Sequence, residues 1–326
     1  VNLMKLADLY EYLQADIQRI EEELERSVTA EHPILRDASV NLLKAGGKRI
    51  RPVFVLLAAK FGRYDIEEIK HIAAPLELIH MASLVHDDVI DDSTMRRGRE
   101  TVKSKYDNKV AMYAGDYIFA KAVEQTANFD DPDIHFTISH AIMDMCIGEI
   151  EQIRDQYSWE QNLRMYLRRI KRKTALLIAV SCKLGAMAAG ASKKNQRHLY
   201  DFGYNVGMAF QITDDILDFE GTEEELGKPA GGDLWQGNVT LPALYAMHHD
   251  PEVKQRVQTA FAGTLPDEAG LSELIRDVNE SGGISYAKEL SRKYLAKAYA
   301  ALEELPDTQE RTSLTNIAHY IGRRSY

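Results

Sequence analysis

Two short stretches of the chain share one pattern. Asp87-Asp88-Val89-Ile90-Asp91 and Asp214-Asp215-Ile216-Leu217-Asp218 both read DDxxD, and each closes an apolar, helix-spaced run. On a helix, positions i and i+4 lie nearly above one another, so Asp87 and Asp91 share a face, as do Asp214 and Asp218. Carboxylates stacked this way repel, and at a helix C-terminus they also oppose the dipole. A cation removes that cost. Oxygen donors without His or Cys select a hard ion such as Mg2+, which takes one or two protein carboxylates and fills its shell with water and substrate phosphate. One such motif alone reads as a solvated acidic helix end. Two of them point to several ions around one diphosphate.

Basic residues stand near both motifs. Gly46-Gly47-Lys48-Arg49-Ile50-Arg51-Pro52 places three cations on a glycine turn that opens a helix, where backbone N–H groups and the helix dipole favour an anion. Arg96-Arg97-Gly98 follows the first Asp motif, Lys171-Arg172-Lys173-Thr174 opens a long apolar run, and Gly227-Lys228-Pro229 follows the second motif. Lys and Arg form charge-assisted hydrogen bonds to phosphate oxygens. Arg49, Arg168, Arg169 and Lys171 read instead as ordinary solvated positions. His80 lies seven residues before Asp87 and so on the same helical face, which turns it toward the acidic motif. Phe210 and Gln211 lie one turn before Asp214.

The elements that must position these groups are helices. Leu6, Leu9, Leu13, Ile17, Ile20 and Leu24 recur every three to four residues, an amphipathic first helix. Further helical stretches are expected over Pro52–Phe61 (opened by its proline), Ile66–Asp92, Lys109–Asn128, Ile134–Tyr157, Trp159–Gly190 and Lys194–Phe219. Prolines and paired glycines fall at the edges of these runs, and no alternating strand or hairpin signal competes. The sequence therefore predicts an all-α chain folded as a single domain over residues 1–326, with Pro251–Tyr326 as covering amphipathic helices.

Composition narrows the function classes. Fifty Asp plus Glu against 40 Lys plus Arg give a formal charge of −10, which argues against a nucleic-acid binder that works by neutralising phosphates. Seven of the surplus carboxylates belong to the two motifs once Asp92 is counted with Asp87, Asp88, Asp91, Asp214, Asp215 and Asp218. Two cysteines, Cys146 and Cys182, make no disulfide framework and no zinc pattern, and fit a reducing, cytoplasmic setting. Val1–Lys5 leads into a Glu-rich stretch with no apolar leader. The most apolar window, Ala175–Ala191, is interrupted by Ser181 and Lys183 and falls short of the roughly 20 apolar residues of a membrane span. No integral membrane segment is expected.

The chain resembles the trans-isoprenyl (polyprenyl) diphosphate synthases, in particular their heptaprenyl-forming catalytic subunits. The stretches that carry the likeness are GGKRIRP, LELIHMASLVHDDVIDDSTMRRG, GDYIFAKA, Arg169–Ile178, FQITDDILDF and LGKPAGGDLWQGNVTLP, with a return at Ile321–Tyr326. It implies one large helical bundle of the isoprenoid synthase type around a deep apolar cavity. It also implies a Mg2+-dependent transferase that joins isopentenyl diphosphate to an allylic diphosphate such as farnesyl diphosphate. The product would be a long all-trans chain, heptaprenyl in length, for a quinone such as menaquinone.

By the same resemblance, Asp87, Asp91 and Asp214 are metal ligands, with Asp88, Asp215 and Asp218 behind them. Arg96, Lys173 and Lys228 grip the allylic diphosphate. Lys48, Arg51, His80 and Arg97 hold that of isopentenyl diphosphate. Thr174 and Gln211 face the developing carbocation, and Phe210 lies beside the second substrate. Ala82 and Ser83, small where short-chain relatives carry an aromatic, leave room for a growing tail, with Ile79, Met81, Ile118 and Ala122 as further wall. The family's GKxTLP is Gly237-Asn238-Val239-Thr240-Leu241-Pro242 here, so one cation is replaced by Asn238. That replacement resembles catalytic subunits that work with a small regulatory partner, and implies a homodimer or such a heteromer, with transient membrane association for product release. A shorter-chain synthase or a class I terpene cyclase would use similar motifs, but a cyclase handles one diphosphate and leaves Lys48, Arg51, His80 and Arg97 idle. A di-iron bundle needs ExxH ligands that Glu149, Glu151 and Gln152 lack. A non-catalytic subunit could dispense with the aspartates.

Overall fold

The computed structural model describes residues 11–29, 31–226 and 230–323. In chain order the helices are α1 (Gln14–Ser27), α2 (Pro33–Lys44), α3 (Ile50–Ala59), α4 (Ile66–Ile90), α5 (Val102–Lys105), α6 (Asn108–Thr126), α7 (Pro132–Asp155), α8 (Leu163–Ile170), α9 (Leu176–Ala188), α10 (Lys193–Glu220), α11 (Glu223–Leu226), α12 (Gly232–Trp235), α13 (Leu241–His249), α14 (Pro251–Ala260), α15 (Glu268–Glu280), α16 (Gly283–Glu303) and α17 (Gln309–Gly322). The all-α expectation holds. Among the described residues the only strands are β1 (Met95–Arg96) and β2 (Arg99–Glu100), a two-residue antiparallel hairpin that pairs Met95 with Glu100 and Arg96 with Arg99. No hairpin was expected there, because two-residue strands are too short to show alternation. Arg97 and Gly98, both at positive φ, form its turn.

Helix starts follow local chemistry. Asp65, Asp107, Asn162, Asp250 and Asp267 each accept a backbone N–H of the first turn of the helix that follows. Two prolines sit differently from the expectation. Pro52 is the third residue of α3, which Arg49 opens in the left-handed region, and Pro75 lies inside α4. Pro75 forgoes the bond to the carbonyl four residues back, whereas Pro52 stands in the first turn, where an N–H would have no partner within the helix. Both are buried among apolar neighbours.

The chain divides into two compact units: Val1–Ile142 with Val180–Tyr200 and Leu305–Leu314, and Met143–Ala179 with Asp201–Glu304 and Thr315–Tyr326. In the first, α3 is enclosed on every side, with Val53 to Ala59 at zero exposure. The α4 helix packs along α6, with Ile79, Met81, Ala82, Ile118 and Ala122 buried. In the second, Tyr166, Ile170, Met208, Ile212, Ile216, Leu234, Leu241 and Leu244 share one core.

The stretch expected as one helix over Trp159–Gly190 begins at Leu163 and is broken in the middle. Lys171–Ala175 forms a π-helical turn between α8 and α9, with the Leu176 N–H bonded to the Lys171 carbonyl. Single π turns of this kind often mark functional sites. No described helix is long and apolar enough to cross a membrane.

Candidate active site

In the first unit, the chemistry gathers around the C-terminal half of α4. Asp87 and Asp91 are both half-buried, and Asp91 caps the helix through its N–H to the Asp87 carbonyl. Asp88 points elsewhere. It is 3% exposed and takes three hydrogen bonds from Arg96 Nε and Nη2, at 2.7–3.1 Å. Asp88 and Arg96, assigned by resemblance to separate tasks, are therefore partners of one another, and the pair ties the hairpin to the helix end.

The glycine turn carries the cations. Arg49, at φ 50°, is buried rather than solvated, and its guanidinium bonds Glu21, Glu77 and the Leu43 carbonyl. Burial works against the Arg49 charge, but Glu21 and Glu77 outweigh it and hold the group above its usual pKa. Arg97 donates to the Gly46 carbonyl. A Cβ at Gly47 would stand 2.7 Å from Arg97 Nη1, so the glycine is what lets that side chain lie across the turn. Lys48 is exposed. Arg51 Nε is buried without a hydrogen-bond partner. Burial lowers the Arg51 pKa, Glu77 opposes, and Arg97 adds to the lowering. His80 faces the same cluster. Burial, then Arg51, Arg97, Arg96 and Arg49, push its imidazole well below the usual value. Ala82 is fully buried, whereas Ser83 is half-buried and donates to the His80 carbonyl at 2.6 Å.

In the second unit, the π turn presents Lys173 and Thr174. Lys173 Nζ donates to Gln152 Oε1 at 2.9 Å and lies 3.5 Å from Glu149 Oε1. Thr174, 7% exposed, donates to Gln211 Oε1 at 2.6 Å. Gln211 Nε2 then donates to Asp215 Oδ1 at 2.9 Å, and the Tyr166 hydroxyl donates to Asp215 Oδ2 at 2.5 Å. Burial, reinforced by Asp233, pushes Asp215 up to about 8. Asp214 and Phe210 are half-buried on α10. Asp218 is buried, and its carboxylate and carbonyl accept from the N–H groups of Asp233 and Gly231. Arg169, like Arg49, is buried rather than solvated: it bonds Gln161 Oε1 and, at 2.6 Å, the carbonyl of Val239 beside Asn238. Lys228 lies outside the described residues.

Several groups escaped the sequence reading. Glu77 had one available signal, an acid one turn before His80 in an otherwise apolar run. Tyr166 had none, since its partner is 49 residues away. Among the described residues no three His, Cys, Asp or Glu side chains converge as a ready-made metal cage. Oxygen-only pairs such as Asp87 and Asp91 suit an ion that draws most of its ligands from water and phosphate.

Helical walls, aspartates at helix ends and arginines at a glycine-led helix start are the build of the all-α prenyltransferase enzymes. Comparison with known proteins gives the same class. A family model described as polyprenyl synthetase matches residues 32–278. Heptaprenyl diphosphate synthase component 2 of Bacillus subtilis is 54% identical over 326 residues, 100% of this chain and 93% of that protein. The crystal structure of heptaprenyl diphosphate synthase from Staphylococcus aureus superposes with a TM-score of 0.91 at 40% identity, covering 96% of this chain and 99% of that one. A polyprenyl synthase from Caulobacter crescentus, solved with calcium and isoprenyl diphosphate, gives 0.93 at 30% identity over 98% of each chain. The chain belongs to the polyprenyl synthetase family and is a chain-elongating prenyltransferase.

Proposed function

We propose that this enzyme adds isopentenyl diphosphate repeatedly to an allylic primer such as farnesyl diphosphate, giving all-trans heptaprenyl diphosphate, the precursor of a quinone side chain. The observation that carries the reading is Arg51 Nε, a buried donor on α3 with no hydrogen-bond partner, in the electrostatic field of Arg97 and beside His80, which shares α4 with Asp87. A second, separate cation set for a second diphosphate separates an elongating enzyme from a cyclase.

Asp87, Asp91 and Asp214 would hold Mg2+, which when bound neutralises the leaving diphosphate. Lys173 and Arg96, with Lys228, bind the allylic diphosphate, and Lys48, Arg51, His80 and Arg97 bind that of isopentenyl diphosphate. The allylic C–O bond breaks with its electron pair going to pyrophosphate. The alkene attacks the resulting cation at C1, and a proton passes to the pyrophosphate as the new double bond forms. Thr174 and Gln211 turn oxygen lone pairs toward the cation, and apolar walls keep water from quenching it. The chain folds as one catalytic domain, works in the cytoplasm, and assembles with a second copy or with a small regulatory subunit in place of the missing cation at Asn238.

The test is incubation with Mg2+, farnesyl diphosphate and labelled isopentenyl diphosphate, with and without a candidate small partner subunit, followed by product chromatography. A ladder ending at the C35 diphosphate, abolished by EDTA, is expected, with full length reached only when the partner is present. Cyclic hydrocarbons, or no incorporation in either arm, would overturn the reading.

A further inference from the structure

We infer that Tyr166 is a positioning residue for chain elongation: its phenol fixes Asp215, and through Asp215 it fixes the side-chain amide of Gln211 and the hydroxyl of Thr174. The inference rests on the elongation reading above. Tyr166 is 1% exposed and hydrogen-bonded to Asp215 Oδ2 at 2.5 Å, while Arg169 lies 5.9 Å from the ring centroid. The second oxygen of Asp215 accepts from Gln211 Nε2 at 2.9 Å, which leaves Gln211 Oε1 to accept from Thr174 at 2.6 Å. The Gln211 amide is held in one orientation by its two bonds: its nitrogen donates to Asp215 and its oxygen accepts from Thr174, so a flipped amide would exchange donor and acceptor at both ends. Asp215 itself would be free to turn about χ2 if its other oxygen were not held, and the hydroxyl that holds it comes from α8, on the far side of the π turn that carries Thr174. Tyr166 thus ties α8 to α10 across the segment whose oxygens meet the cation. It touches no reacting atom.

Tyr166→Phe removes one oxygen and keeps the ring in its core. The expected result is a fall of about tenfold or more in kcat for addition of isopentenyl diphosphate. KM for both diphosphates should stay within about twofold, since the groups that grip them are untouched, and the thermal midpoint should move little. In a Gln211→Ala background, Tyr166→Phe should cost nothing further, because its effect passes through Gln211. Replacing Tyr166 with 4-aminophenylalanine, which keeps a donor at the same place, should restore most of the lost rate. Wild-type kcat in Tyr166→Phe overturns the proposal. So does a loss that is additive with Gln211→Ala, a rise in KM without a fall in kcat, or failure of the variant to fold, each of which would mark Tyr166 as structural. An inactive wild-type enzyme under the same assay is a different outcome, one that tells against the elongation reading itself.

Discussion

Glu77, 2% exposed, sits beneath Arg49, Arg51 and Arg97. A buried carboxylate needs a partner, and it takes Arg49, which Glu21 also holds. That division of labour leaves Arg51 as the cation with an open donor. Residue type alone could not reveal it: Arg49 and Arg169 looked solvated because their carboxylate and carbonyl partners, Glu77 and Val239, are 28 and 70 residues away. The wall residues show the same limit. Ala82 and Ser83 are both small in sequence, but Ala82 is packed at zero exposure while Ser83 is half-open. Both Ala82→Tyr and Ser83→Tyr should shorten the product, as read by chain-length chromatography. Ala82→Tyr should also lose about 1–3 kcal/mol of stability from overpacking, seen in the denaturation midpoint. Unchanged product length in a folded Ser83→Tyr enzyme would remove these positions from the wall.

At the scale of elements, the π turn at Lys171–Ala175 depends on close approach by its neighbours. A Cβ at Gly207 of α10 would stand 2.8 Å from the Ala175 Cα, and one at Gly148 of α7 would stand 2.9 Å from the Arg172 Cβ. Gly207→Ala therefore meets backbone, which moves less readily than a side-chain tip. It should push the turn away from α10, stretch the bond between Thr174 and Gln211, and lower kcat severalfold, with stability falling by about 1–3 kcal/mol. Steady-state kinetics beside a thermal melt check both; wild-type values for each would show that the turn does not depend on this contact. Helix positions were legible because apolar spacing and the Pro and Gly at the edges of each run survive in the sequence. The π turn was not, because an apolar run looks continuous whether its backbone bonds close after four residues or five. The β1–β2 hairpin escaped for a related reason: its conformation is set by Arg97 and Gly98 at positive φ and by the grip of Arg96 on Asp88, not by alternation.

For the whole molecule, the proposal of an assembly made from Asn238 meets a second observation on one face of α7. Met143, Ile147 and Ile150 recur at spacings of four and three and are 55%, 44% and 67% exposed, with Ile153 at 45%. Single exposed apolar residues need no explanation, but a helical stripe of long ones is costly in water and marks a surface that another chain covers. Substituting there should leave the fold intact, since none of these side chains is in the core. Ile147→Glu combined with Ile150→Lys replaces the stripe with a pair that suits an exposed helix. By light scattering, the wild-type chain, alone or with the small subunit, should have more than the mass of a single chain, and the double variant should fall toward that mass with its helical circular dichroism unchanged. Elongation should then stop at shorter products, because a partner that completes the site is no longer held. A double variant that keeps the wild-type mass would exclude this face of α7 from the interface. A wild-type enzyme that remains a single chain in both mixtures would refute the assembly itself and leave Asn238 as a cation lost without replacement.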